Sequence, residues 1–369
     1  MKKIGILFGG KSAEHEISLL SAKNIYEAID RTKFEPVLIG IDKSGRWLLN
    51  DAENFLLNSS DASLVKLNPE GKHVAIRPEN KGVLPADEEG NISLNGNIAL
   101  DAVFPVLHGP FGEDGTIQGL LKLADIPFIG PGVLGSAVGM DKDVMKRLLR
   151  DAGVPIGKFI SFRSHEKAPS FKEIEAAVGS PFFIKPANMG SSVGISKVHN
   201  EEELTAALKD AFLYDTKVII EEYIQGREIE CAVLGNEEPV ASLPGEVITA
   251  HEFYSYDAKY IDEKGAVLEI PAKLESDTIK RVQEIAVKVF KVLCCEGLSR
   301  VDFFLKETAG KQYEIIVNEI NTIPGFTRIS MYPKMWEASG VSYTELITRL
   351  IEFALSRFEK ESRLKTSVV

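Results

Sequence analysis

The stretch that most constrains the fold of this chain runs from Arg300 to Asn321. Its residues predict two strands joined by a short turn near Ala309-Gly310. Side chains alternate between the faces of a strand, so Arg300 and Asp302 share one face, and Glu319 and Asn321 share a face of the second strand. Folding the hairpin at its turn places Asp302 roughly opposite Glu319.

This face predicts a metal site. Two carboxylates that face each other across paired strands repel. Oxygens of Asp, Glu and Asn are ligands that suit Mg2+, so Asp302, Glu319 and Asn321 are candidate ligands. Arg300 adds a fixed positive charge beside them. The alternative is the solvated face of an ordinary antiparallel hairpin, which the hairpin alone leaves open.

Length and charge limit the class of protein. A chain of 369 residues is long enough for two or three domains with a sizeable core. Its net charge of −11 gives no basic footprint for nucleic acid, so an anionic substrate would need local positive charge. Cys231, Cys294 and Cys295 have no metal-binding spacing and fit a reducing cytoplasm. No segment is long enough to span a membrane.

The N-terminal third predicts a small doubly wound α/β unit. Between residues 42 and 100 the sequence is polar and rich in turn residues, which indicates short strands and hairpins in an insertion. The remaining predicted elements are strands at Ile4–Phe8, Phe34–Ile41, Asp101–Leu107 and Ile126–Ile129, and helices at about His15–Asp30 and Thr116–Ala124.

One motif near the N-terminus points to a different class of protein. Residues Gly5 to Ser12 match the phosphate-loop pattern G-x-x-x-x-G-K-[ST]. A true phosphate loop follows its strand, whereas Gly5 lies inside the apolar run that must form the strand. The context therefore disfavours a phosphate loop.

Two polar residues of this unit are candidate ligand contacts. His108 opens a glycine-rich loop between a strand and a helix, where open α/β sheets bind ligands. Glu14 stands at the start of a predicted helix, where the helix dipole favours a carboxylate. Their alternatives are an ordinary loop histidine and a helix cap.

The middle of the chain predicts a phosphate-binding hairpin. Lys185 ends a strand that leads into Gly190–Gly194, where small residues let backbone N–H groups close around phosphate oxygens. A flexible surface hairpin is the alternative. Lys142 lies in the first turn of a helix capped by Asp141, and such a lysine is usually solvated.

Acidic residues follow in the next strands. Glu221 and Glu222 end a strand over Lys217–Tyr223, and Glu228 opens another. Such an edge is commonly plain surface, but a carboxylate or a backbone carbonyl there also suits an adenine amino group and ribose hydroxyls.

Two later loops complete the set of candidate segments. The aromatic loop over 252–261 contains Lys259 and suits a lid that excludes water, or a packed Ω-loop. Pro324-Gly325 lies in a loop with exposed N–H groups. A helix over about Ser276–Leu293 precedes the hairpin, another spans Ser342–Phe358, and the tail from Glu359 is predicted to fray.

Taken together, the motifs resemble a known family. They occur in order from Ile4 to about Phe358, so they cover nearly the whole chain, and seven ordered motifs are far more specific than any one. The motifs are Gly9-Gly-Lys-Ser-Ala-Glu14-His-Glu-Ile-Ser, His108-Gly-Pro-Phe-Gly-Glu-Asp-Gly-Thr, Met140-Asp-Lys142, Lys185-Pro-x-x-x-Gly-Ser191-Ser-Val-Gly, Tyr256-Asp-Ala-Lys259-Tyr260, Arg300-Val-Asp302 and Asn318-Glu-Ile-Asn321-Thr-x-Pro-Gly325. With these motifs, the chain resembles the D-alanine–D-alanine ligases of the ATP-grasp superfamily.

The resemblance implies an ATP-grasp fold of mixed α/β and α+β class with three domains. A doubly wound α/β domain would span 1–136, a central subdomain 137–224 and a C-terminal catalytic subdomain 225–369. Two antiparallel sheets of the last two would clamp ATP between them. The family also implies a cytoplasmic homodimer.

The resemblance also implies roles for individual residues. Some relatives have lysine at the position of Glu222, so backbone groups could contact the adenine there in place of this side chain. Two Mg2+ ions, or Mn2+ in their place, would bind Asp302, Glu319 and Asn321. The ATP-binding residues would be Lys142, Lys185, Ser192, Glu221, Glu222, Glu228 and Lys259, and the residues around the two D-alanines would be Glu14, His108, Ser191, Tyr260, Arg300, Gly325 and Ser330.

The implied activity is ligation of two D-alanines through an acyl phosphate, for peptidoglycan precursor synthesis. The nearest rival is a D-alanine–D-lactate ligase, against which Tyr260 in its lid motif argues. A P-loop kinase is disfavoured by the position of Gly5. A catalytically inactive nucleotide-binding regulator predicts a broken metal set, whereas Asp302, Glu319 and Asn321 are all present.

Overall fold

The structure is a computed structural model. The aromatic loop with Lys259 and Tyr260 lies outside the residues it describes, as does the hairpin turn at Ala309-Gly310. The described residues are 1–59, 61, 64–77, 81–87, 89–93, 95–249, 266–308, 312–365 and 367.

The N-terminal unit is a seven-stranded sheet with a parallel core. Ile4 and Ile6 are fully buried, as expected where helices or loops cover both faces of parallel strands. Its elements are β1 (Lys2–Gly9), α1 (His15–Ala28), β2 (Phe34–Ile41), β3 (Trp47–Asn50), β4 (Leu56–Leu57), β5 (Lys66–Leu67), β6 (Lys72–Arg77), β7 (Gly82–Pro85), β8 (Ile98–Ala99), β9 (Ala102–Val106) and α2 (Thr116–Leu123).

Residues 42–100 extend this sheet. The strand order is β8-β7-β6-β3-β2-β1-β9, in which β1 pairs in parallel with β2 and β9, and β3, β6, β7 and β8 pair antiparallel with their neighbours. Strands β4 and β5 pair only with each other. The predicted short strands and hairpins are therefore confirmed. The predicted strand at Ile126–Ile129 is wrong: only an isolated bridge joins Phe128 to Val103, because Pro127 has no N–H to extend a ladder.

The phosphate-loop alternative fails on the structure. Gly5 lies in the middle of β1, paired with Val37 and Val103. At the end of the strand, Gly9 has φ of 91°, and a Cβ there would lie 2.2 Å from the carbonyl oxygen of Ile41. The glycines thus turn the chain tightly against the sheet, leaving no loop to wrap a phosphate.

The central unit is a four-stranded antiparallel sheet in the order β10-β13-β11-β12. Helices α5 and α6 cover one face, where Phe182, Ile174 and Leu204 are buried in one apolar cluster. Its elements and the two helices before it are α3 (Val133–Met140), α4 (Lys142–Asp151), β10 (Phe159–Arg163), α5 (Phe171–Val178), β11 (Phe182–Pro186), β12 (Ser196–Val198), α6 (Glu201–Ala211) and β13 (Lys217–Glu222).

The C-terminal unit holds a six-stranded sheet in the order β17-β16-β14-β18-β19, with β15 paired to β14. Helix α7 packs on one face through Val282, Ala286 and Phe290. Its elements are β14 (Arg227–Gly235), β15 (Val240–Ala241), β16 (Gly245–Thr249), β17 (Ala266–Glu269), α7 (Ser276–Val292), β18 (Gly297–Thr308), β19 (Gln312–Asn321), α8 (Met331–Ala338) and α9 (Tyr343–Ser362).

The last helix is longer than predicted. The prediction that the chain frays from Glu359 is wrong for the first part of the tail, since α9 continues to Ser362. Lys360 pairs with Glu237 at 2.6 Å, and buried Arg357 donates to the carbonyl oxygen of Gly130 at 2.7 Å. These contacts hold the helix end against the rest of the chain.

The predicted fold class is confirmed: one α/β unit and two units built on antiparallel sheets. The boundaries after residues 136 and 224 stay a prediction, and the first of them falls within α3. Among the described residues, no helix combines the length and apolar character that crossing a bilayer requires.

Candidate active site

A cavity of about 280 Å³ lies between the two antiparallel sheets. Residues of β11 and β13 form one wall, and residues of β14, β18 and β19 form the other. Eight of the residues predicted from sequence line it: Lys142, Lys185, Ser191, Ser192, Glu221, Glu222, Glu228 and Glu319.

Lys185 and Glu221 form a buried ion pair in this cavity. The Lys185 ammonium lies 2.6 Å from Glu221 Oε2. Burial by itself lowers the pKa of Lys185, but the carboxylates of Glu221 and Glu319 outweigh it and raise the pKa above its usual value. The Lys185 side chain therefore stays positively charged where it lines the cavity.

Glu221 has a second lysine partner that sequence reasoning missed. The Lys146 ammonium lies 2.6 Å from Glu221 Oε1. Burial raises the pKa of Glu221, yet Lys146 and Lys185 lower it to about 2. Glu221 is thus ionised, and it is not the plain surface residue that its position allowed.

Lys142 is also buried, so the interpretation of this residue as a solvated lysine is wrong. Its ammonium donates to the carbonyl oxygen of Met189 at 2.6 Å and lies 3.5 Å from Glu319 Oε2. The Asp141 side chain caps α4 by accepting from the N–H of Val144 at 3.0 Å, as predicted. The cap fixes the helix start and aims Lys142 into the cavity.

The loop after β11 joins the cavity to the N-terminal unit. Ser191 and Ser192 have φ of 48° and 62°, a left-handed conformation that costs on the order of 1–3 kcal/mol per residue. The Ser191 hydroxyl donates to Glu14 Oε1. A Cβ on Gly190 would lie 2.9 Å from Glu14 Oε2, so the close approach requires glycine.

Glu14 therefore does not act as a helix cap. It stands at the start of α1 but makes no side-chain capping bond there. Its carboxylate is buried between Ser191 and Gly109, where a Cβ would lie 2.7 Å from Oε2. The structure thus places a buried anion beside the cavity.

His108 is held in one tautomer between two units. Its Nδ1 lies 3.0 Å from the carbonyl oxygen of Ile323, so Nδ1 carries the proton and donates. Nε2 then accepts from the Ser21 hydroxyl at 3.3 Å. Burial lowers the pKa of His108 despite the nearby Glu14, so the imidazole is neutral.

Glu113, which sequence reasoning did not single out, ties the same two units. Its Oε2 accepts from the N–H of Gly109 at 2.7 Å and its Oε1 from the N–H of Ile323 at 3.0 Å. Ile323 is therefore bound at its N–H by Glu113 and at its carbonyl by His108. Burial, together with the charge of Glu14, raises the pKa of Glu113 to about 8.

The hydrogen bonds of His108 and Glu113 to Ile323 fix the loop that carries the predicted residues Gly325 and Ser330. A Cβ on Gly325 would lie 2.8 Å from the Ser330 hydroxyl, so the two residues are adjacent. The Ser330 hydroxyl accepts from the N–H of Thr327 at 3.0 Å. The loop after β19 is thus held on one side by the N-terminal unit and folded around Ser330.

The hairpin face has the predicted register. Asp302 lies opposite Glu319, with a bulge directly after Asp302. Arg300 donates to both oxygens of Asp302 at 2.7 Å and lies 2.8 Å from Glu230 Oε2. Asn321 donates to Asp302 Oδ2 at 2.9 Å.

The donor set of this face contains two carboxylates and one amide. Within the part of the chain that the structure describes, no group of three or more His, Cys, Asp or Glu side chains is arranged to hold a metal ion. The predicted set of Asp302, Glu319 and Asn321 is of a different composition, with oxygen donors that suit a hard divalent cation.

We expect Glu113 to impose a pH dependence on stability. The folded chain binds the Glu113 proton more tightly than the unfolded chain, where the pKa is near 4.5. The free energy of unfolding contributed by this group therefore falls as pH rises from about 4.5 to about 8. In Glu113→Gln this contribution is absent, so its melting temperature should fall less between pH 5 and 8, as measured by thermal unfolding.

The control for this prediction is Glu175→Gln, because Glu175 is exposed on α5. That variant should follow the parent chain across the same pH range. Parallel curves for the parent chain and Glu113→Gln would contradict the raised pKa of Glu113.

Comparison with known proteins gives the family. Residues 3–131 match the family model for the D-ala D-ala ligase N-terminus, and residues 148–352 match that for the D-ala D-ala ligase C-terminus. The chain is 54% identical to a D-alanine–D-alanine ligase from Oceanobacillus iheyensis over 99% of this chain and 98% of that protein.

Solved structures are similar over nearly the whole chain. The crystal structure of VanG D-Ala:D-Ser ligase from Enterococcus faecalis is 40% identical with a TM-score of 0.82, covering 96% of this chain and 99% of that one. A D-alanine–D-alanine ligase from Bacillus anthracis complexed with ATP is 26% identical with a TM-score of 0.71, covering 98% of this chain and 100% of that one. The two family models and the full-length identity place this chain in the D-alanine–D-alanine ligase family.

Proposed function

We propose that this chain joins two D-alanines into D-alanyl-D-alanine while it converts ATP into ADP and phosphate, for peptidoglycan precursor synthesis. The observation that carries the proposal is the position of Ser191, which lines the cavity between the sheets and donates to buried Glu14. The loop that contains Ser191 thus lies between two parts of the site. On one side is the Glu14 carboxylate, which suits a substrate ammonium, and on the other is the cavity, whose lysines suit phosphates.

ATP fits the cavity by charge. Lys142 and Lys185 would meet its phosphates, covered by the Gly190–Gly194 loop with Ser192. Glu228 would bind the ribose. Near the adenine, Glu221 is engaged by two lysines, and Glu222 accepts from the N–H of Lys158 at 2.7 Å, so backbone groups at the end of β13 are the proposed adenine contacts.

Mg2+, or Mn2+ in its place, would be held by Asp302, Glu319 and Asn321. The fit rests on the three oxygen donors of one hairpin face and on its place beside Lys142. Two bound ions would supply charge neutralisation for the phosphates. Arg300 already neutralises Asp302 in part, so this face remains compatible with its buried surroundings.

The first step is phosphoryl transfer to a carboxylate. Glu14 and Ser191 would hold the ammonium of the first D-alanine, with Tyr260 as a further predicted contact outside the described residues. One oxygen of the D-alanine carboxylate attacks the γ-phosphorus, and ADP leaves with the electrons of the broken P–O bond. Positioning and charge neutralisation are most of what this step requires.

The second step is acyl transfer to an amine. Ser330 would bind the carboxylate of the second D-alanine, whose ammonium first gives one proton to solvent water so that the free amine can attack the acyl carbon. Arg300 and the N–H of Gly325 would stabilise the tetrahedral oxyanion, which then expels phosphate. Neutral His108 adds no positive charge beside the incoming ammonium.

The lid, the compartment and the assembly follow from the same proposal. Lys259 would approach the γ-phosphate within a lid that keeps water from the acyl phosphate. A cytoplasmic location suits the use of ATP, and Cys294 is an exposed free thiol. The homodimer rests on the family resemblance.

The choice of the second substrate needs a direct test, because a D-Ala:D-Ser ligase shares this fold. We expect D-alanine, but not L-alanine, to support phosphate release from Mg-ATP. With equal D-alanine and D-lactate, or D-alanine and D-serine, D-alanyl-D-alanine should dominate the products at neutral pH. No release with D-alanine would refute the function, and a dominant D-lactate or D-serine product would replace it by the corresponding ligase.

A further inference from the structure

Lys146 is a buried lysine in the cavity wall that the proposed chemistry leaves without a task. It lies one helical turn after Lys142 on α4, so both side chains lie on the same side of the helix. Its side chain is only 4% exposed, and its ammonium lies 2.6 Å from Glu221 Oε1. A lysine this deeply buried is uncommon unless it is paired.

The pairing is shared among three groups. Glu221 Oε1 faces Lys146, while Glu221 Oε2 faces Lys185 at the same distance of 2.6 Å. One carboxylate thus neutralises two ammonium groups, and the trio carries a net positive charge. Both lysines line the cavity between the sheets.

We propose that Lys146 is a positioning residue for nucleotide binding: it neutralises Glu221 so that Lys185 is free to turn to the nucleotide phosphates. The inference rests on the proposed function, in which Lys185 meets those phosphates. Lys146 acts through Glu221 and Lys185 and needs no contact with ATP.

The reason is the cost of an unpaired buried charge. If Lys146 were absent, moving Lys185 to a phosphate would leave the Glu221 carboxylate buried without a counter-ion, which is strongly unfavourable. Lys185 would then stay on Glu221, and the phosphates would lose a cation. With Lys146 present, Glu221 keeps one partner throughout.

The test compares the affinities of Lys146→Met and of the parent chain for ATP and for uncharged adenosine. Each ligand is titrated into the protein in a calorimeter, with Mg2+ present. We expect ATP binding to weaken by at least about 10-fold and adenosine binding to change less than about 2-fold, because the effect acts on phosphate charge. The KM for ATP should rise similarly, while the KM for D-alanine stays within about 2-fold.

Three further variants distinguish positioning from simple loss of structure. Lys146→Arg keeps the charge and should bind ATP nearly as the parent chain does. The double variant Lys146→Met/Glu221→Gln removes the stranded charge and should restore the ratio of ATP to adenosine affinity. Lys209→Met, at an exposed position on α6, should leave both affinities unchanged.

Three results would overturn the inference. The first is that Lys146→Met binds ATP as tightly as the parent chain. The second is that it loses equal affinity for ATP and for adenosine. The third is that the double variant has a ratio of ATP to adenosine affinity as low as that of Lys146→Met. Failure of the proposed function is distinguishable, since the parent chain itself would then bind no ATP or release no phosphate with D-alanine.

Discussion

Replacing Asp302 by asparagine is expected to lower turnover by at least about 10³-fold, or about 4 kcal/mol of barrier, while the chain stays folded. Asparagine has the same shape, and its amide oxygen still accepts one hydrogen bond from Arg300. It loses the two hydrogen bonds that Asp302 Oδ2 accepts from Arg300 and Asn321, and it loses the negative charge opposite Glu319 that a divalent cation needs beside the phosphates. Phosphate release with Mg-ATP and D-alanine measures the loss, and thermal unfolding measures the fold.

The matched control lies on the same strand. Glu307→Gln removes a carboxylate from the exposed end of β18 and should retain turnover within about 2-fold. Near-normal turnover of Asp302→Asn would refute its metal role. An equal loss in both variants would mean that strand stability, and not the charge of Asp302, is responsible.

The second large effect is expected at the other end of the site. Glu14→Gln should lower kcat/KM for D-alanine by about 10²–10³-fold, or about 3–4 kcal/mol, because removing the anion leaves the substrate ammonium in a buried position without a partner. Glutamine still accepts from Ser191, so the loop should keep its place. ATP affinity should change less than about 3-fold, since Glu14 lies outside the phosphate cavity.

Glu16→Gln is the control on the same helix. Glu16 pairs with exposed Lys43 at 2.6 Å, a contact worth about 0–1 kcal/mol, so D-alanine kinetics should stay near those of the parent chain. If Glu14→Gln has parental kcat/KM for D-alanine, the ammonium of the first substrate is bound elsewhere.

Local patterns predicted much of the site because strand geometry is periodic. The alternation of side chains and the short turn fixed Asp302 opposite Glu319, and the structure has that register. Likewise, the apolar run around Gly5 was correctly interpreted as strand, against a letter-perfect phosphate-loop motif. Both predictions depend only on neighbours along the chain or across one turn.

Long-range polar contacts were not predictable in the same way. Glu113 binds the N–H of Ile323 across 210 positions of sequence, and Lys146 on α4 pairs with Glu221 on β13. The residue type does not indicate whether a charged side chain is buried, because burial depends on how distant parts of the chain pack together. The one local signal was the spacing of four between Lys142 and Lys146, which places both on one helix face.

The most direct test of the two-step chemistry follows one oxygen atom. D-alanine labelled with 18O in its carboxylate is supplied with Mg-ATP, and the released phosphate is analysed by mass spectrometry. Because a carboxylate oxygen attacks the γ-phosphorus and leaves with it, each phosphate should carry one 18O atom from D-alanine. Unlabelled phosphate released together with D-alanyl-D-alanine would contradict an acyl phosphate and the roles assigned to both halves of the site.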